Sequence, residues 1–151
     1  DAVTLAKGLG AGLPLGALVT FGAASSLFVP GDHGSTFGGN RITTAAGLAA
    51  IDVIARENLL KKVHVHEQSI RTELTPYVKE IRGKGLLLGI ELFGPYSTTL
   101  AQQLQMNGIL VNAPRSTTIR IAPPLNVTAA QVAHFCRTFI ATLKESDYVA
   151  S

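Results

Sequence analysis

The sequence has one cysteine, Cys136, so it cannot build a disulfide framework within the chain. That points toward a reducing compartment, and a cytoplasmic location is expected. Charge is also sparse. Asp, Glu, Lys and Arg together make up 15% of the chain, and the net charge is only +3. The 13 basic residues are scattered, with no patch to meet a phosphate backbone, so a nucleic-acid partner is not expected. No apolar run approaches the roughly 18 residues that a membrane span requires, and no membrane partner is expected either. His64 and His66 stand two apart on a predicted helix, so they diverge and cannot share a metal ion. His66 falls on an apolar stripe and reads as a packed histidine. No metal site is expected. What the chain does have is apolar substance: 46% of its 151 residues are hydrophobic, which excludes disorder and supplies a core.

Nine of the 15 glycines lie in residues 1–40. Asp1 runs straight into an apparent strand, Ala2 to Leu5, which reads as a piece of a longer chain. A second strand is expected over Gly16 to Phe21, then a loop from Pro30 to Asn40. Composition then changes. Ile42 to Glu57 is alanine-rich, with Leu48, Ile51 and Ile54 at helical spacing, and predicts a helix whose small residues suit close packing. A second helix is expected from Leu59 to Leu74, ended by Pro76. "KGLLLGIEL", Lys84 to Leu92, reads as one buried strand. A helix over Ser97 to Asn107 stops at Asn107-Gly108. Strands are expected at Ile109 to Asn112 and Thr118 to Ala122, with Arg115 in the turn between them. A last helix starts at Thr128, which forms a capping box with Gln131, and Cys136 on that helix reads as core. Helices and strands in alternation argue an α/β or α+β unit. The composition shift near residue 50 suggests that two domains are represented. The sequon Asn126-Val127-Thr128 reads as chance.

Three stretches could carry chemistry. In "TLAKGLGAGLPLGA" a lysine, Lys7, follows an apolar run and precedes Gly8, Gly10, Gly12 and Gly16. The glycines follow the lysine, so this is no P-loop, and a dinucleotide fingerprint would need a third glycine at Leu13. Two readings remain open on composition: a surface lysine beside a flexible loop, or a nucleophile. A free amine is mostly protonated at neutral pH, but an apolar pocket frees its lone pair. Leu5, Ala6 and Leu9 are the candidate walls. In "GDHGSTFGGN", Gly31 to Asn40, Ser35 and Thr36 offer hydroxyls and backbone N–H groups to an anion. An ordinary turn with a helix cap explains the stretch equally well. His33 in the same loop could assist. In "IRIAPPLNVT", Ile119 and Ile121 share a face, so Arg120 points the other way, to solvent or to a ligand.

These stretches together resemble class III aminotransferases, the pyridoxal 5'-phosphate enzymes of fold type I. The match rests on "DAVTLAKGLGAGLPLGA", with an aspartate six residues before the lysine, on H-G-x-T-F-G-G-N, and on the arginine strand running into Pro-Pro-Leu. "EIRGKGLLLGIEL", Glu80 to Leu92, is similar to the small-domain strand of that family. Ala2 and Arg41 depart from its usual residues. The resemblance implies that Lys7 holds pyridoxal 5'-phosphate through its amine and then carries the proton of the 1,3-shift. It implies that Thr36 reaches the cofactor phosphate of a neighbouring subunit, that Ser35 touches substrate as in acetylornithine-type members, and that Arg120 holds the substrate α-carboxylate. A homodimer with shared active sites follows. Residues 1–50 would be the end of the large cofactor-binding domain, and residues 51–147 the small α+β domain. The implied reaction moves an amino group from N-acetylornithine, or a related ω-amine, to 2-oxoglutarate in arginine and ornithine metabolism. The resemblance covers only the C-terminal part of the family, so this stretch alone is expected to be inactive. Ornithine, succinylornithine and 4-aminobutyrate aminotransferases, dialkylglycine decarboxylase and a non-catalytic binding fragment stay open as alternatives.

Overall fold

The computed structural model describes residues 1–146 and Tyr148. The chain divides into two compact units, Asp1–Glu57 and Asn58–Ser151. The division falls at the end of a helix, later than the composition shift near residue 50. Residue 50 lies inside that helix, which spans Arg41–Arg56.

In the first unit, β1 (Ala2–Leu5) and β2 (Ala17–Thr20) pair antiparallel, with Val3 opposite Val19. A tight 3-10 turn, Lys7–Gly10, follows β1 directly. The unit's one α-helix, α1 (Arg41–Arg56), is capped by Asn40, whose Oδ1 accepts from the N–H of Ile42 at 2.8 Å and of Thr43 at 3.4 Å. Its small residues do permit a close approach. Gly47 is buried, and a Cβ there would stand 2.6 Å from Leu15 Cδ2 and 3.1 Å from the Leu9 carbonyl oxygen. The helix therefore packs against the turn that carries Lys7 at a distance only glycine allows. Leu48 and Ile51, in contrast, stay exposed.

In the second unit, α2 (Leu59–Leu74) is the first element. The chain enters it through Asn58 in the left-handed region, φ 52°, a conformation asparagine tolerates. A four-stranded antiparallel sheet follows in the order β3-β4-β6-β5, built from β3 (Glu80–Lys84), β4 (Leu87–Glu91), β5 (Asn112–Arg115) and β6 (Thr118–Ile121). Helices α3 (Ser97–Met106) and α4 (Ala129–Glu145) complete the unit. Leu74, Leu88, Ile90, Leu104, Ile119 and Phe139 are each 0% exposed and form the centre of the core. The expected capping box of Thr128 and Gln131 opens α4. α3 ends as its Asn-Gly pair predicts: the N–H of Gly108 donates to Gln105 and that of Ile109 to Leu104, a Schellman motif with Gly108 at φ 80°.

Two strand expectations need correction. The run Lys84 to Leu92 is not one buried strand. Lys84 ends β3, Gly85 and Leu86 make the turn, and β4 begins at Leu87. The three consecutive leucines hide an alternation, because Leu86 and Leu88 are buried while Leu87 is 61% exposed. The strand expected at Ile109 to Asn112 starts only at Asn112 and runs to Arg115, so Arg115 belongs to β5 and not to the turn. Ile109 is taken by the helix stop, and Pro114 is tolerated because β5 is an edge strand.

The β3–β4 hairpin is held by an ion pair on α2. Arg71 donates from Nε to Glu67 at 3.0 Å, and from its two terminal nitrogens to the carbonyls of Ile81 at 2.6 Å and Gly83 at 2.8 Å. Glu67 accepts in turn from the Gly85 N–H at 2.8 Å. Gly83 has φ 114°, and a Cβ on it would collide with the Leu87 carbonyl oxygen. Gly83→Ala is therefore expected to destabilise the second unit by about 1–3 kcal/mol or more, the cost of forcing a side chain into such backbone. Urea unfolding of the full-length protein would measure it, and an unchanged midpoint would contradict this hairpin geometry.

Candidate functional site

Lys7 closes β1 and opens the 3-10 turn with φ 54°. A left-handed conformation costs a side-chain-bearing residue roughly 1–2 kcal/mol and costs glycine nothing. Gly8 is the very next residue, and a Cβ on it would meet nothing within 4 Å. Ala11, which ends the same turn, is left-handed as well, at φ 51°. Lys7 is exposed and makes no ion pair with any described residue. The expected apolar walls do not enclose it: Leu5 is 41% exposed, Ala6 is exposed, and only Leu9 is half-buried. Leu9 instead lies over Gly47 of α1.

The loop before α1 is organised by its own short contacts. Asp32 accepts from the Val29 N–H at 2.8 Å, and the Ser35 carbonyl accepts from Gly38 N–H at 3.1 Å. A Cβ on Gly38 would sit 3.1 Å from Ser35 Cβ, and Gly39 has φ 67°. Ser35 and Thr36 are exposed, and neither their hydroxyls nor their N–H groups have a partner among the described residues. Asn40 already occupies the first donors of α1. An anion at this loop would thus meet Thr36 and the loop's own N–H groups, since Asn40 takes those of Ile42 and Thr43. His33 packs against Phe28, with ring centroids 5.3 Å apart.

Arg120 lies in the second unit, on β6. Its neighbours behave as expected: Ile119 is 0% and Ile121 6% exposed, and Arg120 itself is exposed on the opposite face. The register places Gly89 of β4 directly across from it on one side and Asn112 of β5 on the other. Arg82 of β3 lies across from Gly89 in the same row. The adjacent row holds Glu80, Glu91 and Thr118. Arg82 is engaged, with Glu80 at 2.9 Å and Glu91 at 2.7 Å. Thr118 donates to Glu91 at 2.8 Å. Arg120 has no hydrogen-bond or ion-pair partner among the described residues. The hydroxyls of Thr117 and Thr118 and the Arg82 guanidinium hold the Glu91 carboxyl at about 2, against an ordinary 4.5. None of this network was visible in the sequence, because β3 was not recognised as a strand. The alternation of Glu80 with Arg82, and of Gly89 with Glu91, is the signal that would have exposed it.

Other candidates fall away. His66 is buried, as expected of a packed histidine, and the described residues contain no cluster of metal ligands. Burial pushes the Cys136 thiol up to about 12, so it is inert core. A cavity of about 370 Å³ is lined by Ile70, Ile121, Pro123, Val127, Gln131 and Phe135 among others, and by none of the four site residues. Its polar residue, Gln131, is already spent on the Thr128 cap.

The sequence model described as aminotransferase class-III matches residues 1–143. The chain belongs to this family. Acetylornithine aminotransferase of Streptomyces coelicolor is 51% identical over 131 residues, covering 84% of this chain and 33% of that protein. The crystal structure of acetylornithine aminotransferase from Elizabethkingia anophelis superposes with a TM-score of 0.86 at 31% identity, covering 96% of this chain and 41% of that one. Ornithine aminotransferase of Toxoplasma gondii, whose structure is described with partial occupancy of PLP at the active site, gives 0.80 at 31% identity, with 97% and 38% covered. The chain thus has the class III aminotransferase fold and spans about a third of the length of the curated relatives it matches. Class III aminotransferases are pyridoxal-phosphate enzymes. The first unit's donors suit that group: an amine free of any ion pair, and a threonine hydroxyl and N–H groups without partners among the described residues.

Glu91 carries a pH dependence. Its carboxyl titrates lower in the folded than in the unfolded chain. Its stabilising contribution is therefore full above the ordinary value of 4.5 and is lost as pH falls toward about 2. Glu91→Gln is expected to flatten the stability curve in that window and to leave its slope near neutrality unchanged. Denaturation midpoints measured from pH 2 to 7 would check this.

Proposed function

We propose that this chain supplies Lys7, Ser35, Thr36 and Arg120 to the active site of a pyridoxal-phosphate-dependent aminotransferase. The amino donor is N-acetylornithine or a related ω-amine, and the acceptor is 2-oxoglutarate. The observation that carries this reading is the left-handed backbone of Lys7 beside a glycine that could have taken it at no cost. When bound, the cofactor supplies an electron sink for the carbanion formed at the substrate. Lys7 would hold the cofactor through its Nζ, and the same amine would take and return the substrate's proton. The Thr36 hydroxyl donates to a phosphate oxygen. Ser35 contacts substrate. Arg120 grips the α-carboxylate with its planar fork, a task that suits guanidinium better than ammonium.

Residues 1–50 are assigned to the end of the large cofactor-binding domain and residues 51–147 to the small domain. The enzyme is a cytoplasmic homodimer in arginine and ornithine metabolism, with Thr36 serving the neighbouring subunit's cofactor. The stretch Asp1–Ser151 alone is inactive in this reading, because a third of a relative's length leaves most of the cofactor's surroundings elsewhere. The second reading is an ornithine aminotransferase, which the Toxoplasma gondii likeness favours. Turnover of ornithine against N-acetylornithine by the full-length protein separates the two. Absence of any absorbance change on adding the cofactor would favour a non-catalytic binding role.

Two experiments test the site. Borohydride reduction of the cofactor-loaded full-length protein is expected to leave a pyridoxyl mass on the peptide containing Lys7. The same mass found only on Lys61, Lys62 or Lys84 would overturn the assignment.

Arg120→Lys keeps the charge and loses the fork. The expected outcome is a KM raised about tenfold or more for both amino donor and 2-oxoglutarate, from loss of roughly 1.5–3 kcal/mol of charge-assisted bonding. Cofactor binding and melting temperature should stay near the parent's. Unchanged KM values for both substrates would return Arg120 to the solvent-exposed surface.

A further inference from the structure

Arg82 and Arg120 flank Gly89 symmetrically in the sheet, one on β3 and one on β6, both on the face away from the core. Only one of them is engaged. Arg82 is bound to two carboxylates, while Arg120 has no partner among the described residues. The difference calls for a cause, because an anion lies close to both in register. Glu91 stands opposite Thr118, one diagonal step from Arg120 on the same face. Diagonal cross-strand neighbours are about 7–8 Å apart, within reach of an arginine. Gly89 puts no side chain between them. Glu91 is thus a diagonal neighbour of Arg120.

Glu91 is not left alone. Its Oε2 accepts from Arg82 at 2.7 Å and from the Thr118 hydroxyl at 2.8 Å. Thr118 is buried, and the Glu91 side chain is only 16% exposed, so these anchors hold it close to the sheet. We infer that Arg82 and Thr118 are positioning residues that hold Glu91 off Arg120 and so keep the Arg120 guanidinium available to the substrate carboxylate. Glu91 remains a full anion at neutral pH, so releasing it creates an intramolecular competitor for the site. The inference rests on the reading of Arg120 as the carboxylate-holding residue.

The test is steady-state kinetics of the full-length enzyme with 2-oxoglutarate varied, together with the thermal shift produced by glutarate, a dicarboxylate that does not react. Arg82→Ala removes the cationic anchor of Glu91, leaving only the Thr117 and Thr118 hydroxyls, and so shifts Glu91 toward pairing with Arg120. A cross-strand ion pair of about 0.2–1 kcal/mol raises the KM up to about fivefold, with kcat unchanged and a smaller glutarate shift. Thr118→Val acts in the same direction through the other anchor, and it stands in should Arg82→Ala fail to fold. Adding Glu91→Gln to Arg82→Ala restores the parent KM, because the competitor has lost its charge. Adding Glu80→Gln does not, because Glu80 lies a further strand away. An unchanged KM in folded Arg82→Ala and Thr118→Val overturns the inference. So does a raised KM that Glu91→Gln fails to restore, since that marks Arg82 as merely structural. If Arg120→Lys raises KM while these variants do not, only this inference falls. If Arg120→Lys has no effect, the reading beneath it falls as well.

Discussion

Leu88 and Ile90 of β4 lie opposite Ile121 and Ile119 of β6, and all four are buried. Each such side chain contributes about 1.5–3 kcal/mol on leaving water. The pairing of these two central strands is the constraint on which the second unit depends. It decides which face of β6 is core, and so it decides where Arg120 points. A slip of one residue would exchange the two faces. It would bury a guanidinium with no partner and expose two isoleucines. The apolar pattern that stabilises the sheet is thus the same pattern that presents the arginine.

The edge of that sheet is held differently. β3 has few buried side chains, with Ile81 only half-buried and Glu80, Arg82, Gly83 and Lys84 exposed. Its place depends on α2, through Arg71 reaching two β3 carbonyls and Glu67 taking the turn N–H. A half-buried ion pair is costly unless its remaining bonds are made. Here they are made to backbone groups of the hairpin, so the pair fixes the strand in position. With β3 fixed, Arg82 is brought beside Glu91, and the charged face of the sheet acquires its order.

Much of this architecture was legible in the sequence, for reasons that differ by element. α2, α3 and α4 carry strong periodicity together with local stop or start chemistry: Pro76, Asn107-Gly108 and the Thr128–Gln131 box. Local chemistry suffices there, and the elements lie where it puts them. The strands were read less well. Glu80 to Lys84 has three charged residues facing out and a glycine, so its single apolar residue, Ile81, does not mark it as a strand. Leu86 to Leu88 is apolar throughout, so its alternation leaves no trace in composition. β5 contains a proline, which argues against a strand unless its edge position is known. In each case the missing information was the neighbouring strand. The site residues divide along the same line. Ile119 and Ile121 predict the outward side of Arg120 from one strand alone. That Arg120 would be unpaired, and Arg82 paired, depends on three strands in register, and no local reading reaches it.

The residues assigned to the chemistry share a physical signature. Lys7 occupies backbone that disfavours it. Thr36 offers a hydroxyl and an N–H without partners in a loop whose helix is already capped by Asn40. Arg120 has no partner among the described residues and stands beside an anion that is tied elsewhere. Structural charges in the same chain behave in the opposite way: Arg71, Glu67, Arg82 and Glu91 each make two or more short bonds. A folded chain gains stability by satisfying its polar groups. Exposed charges with no partner among the described residues are solvated, and these are the groups free to exchange water for a ligand. Lys7 and Arg120 are two such residues, and the proposed function gives each of them a ligand.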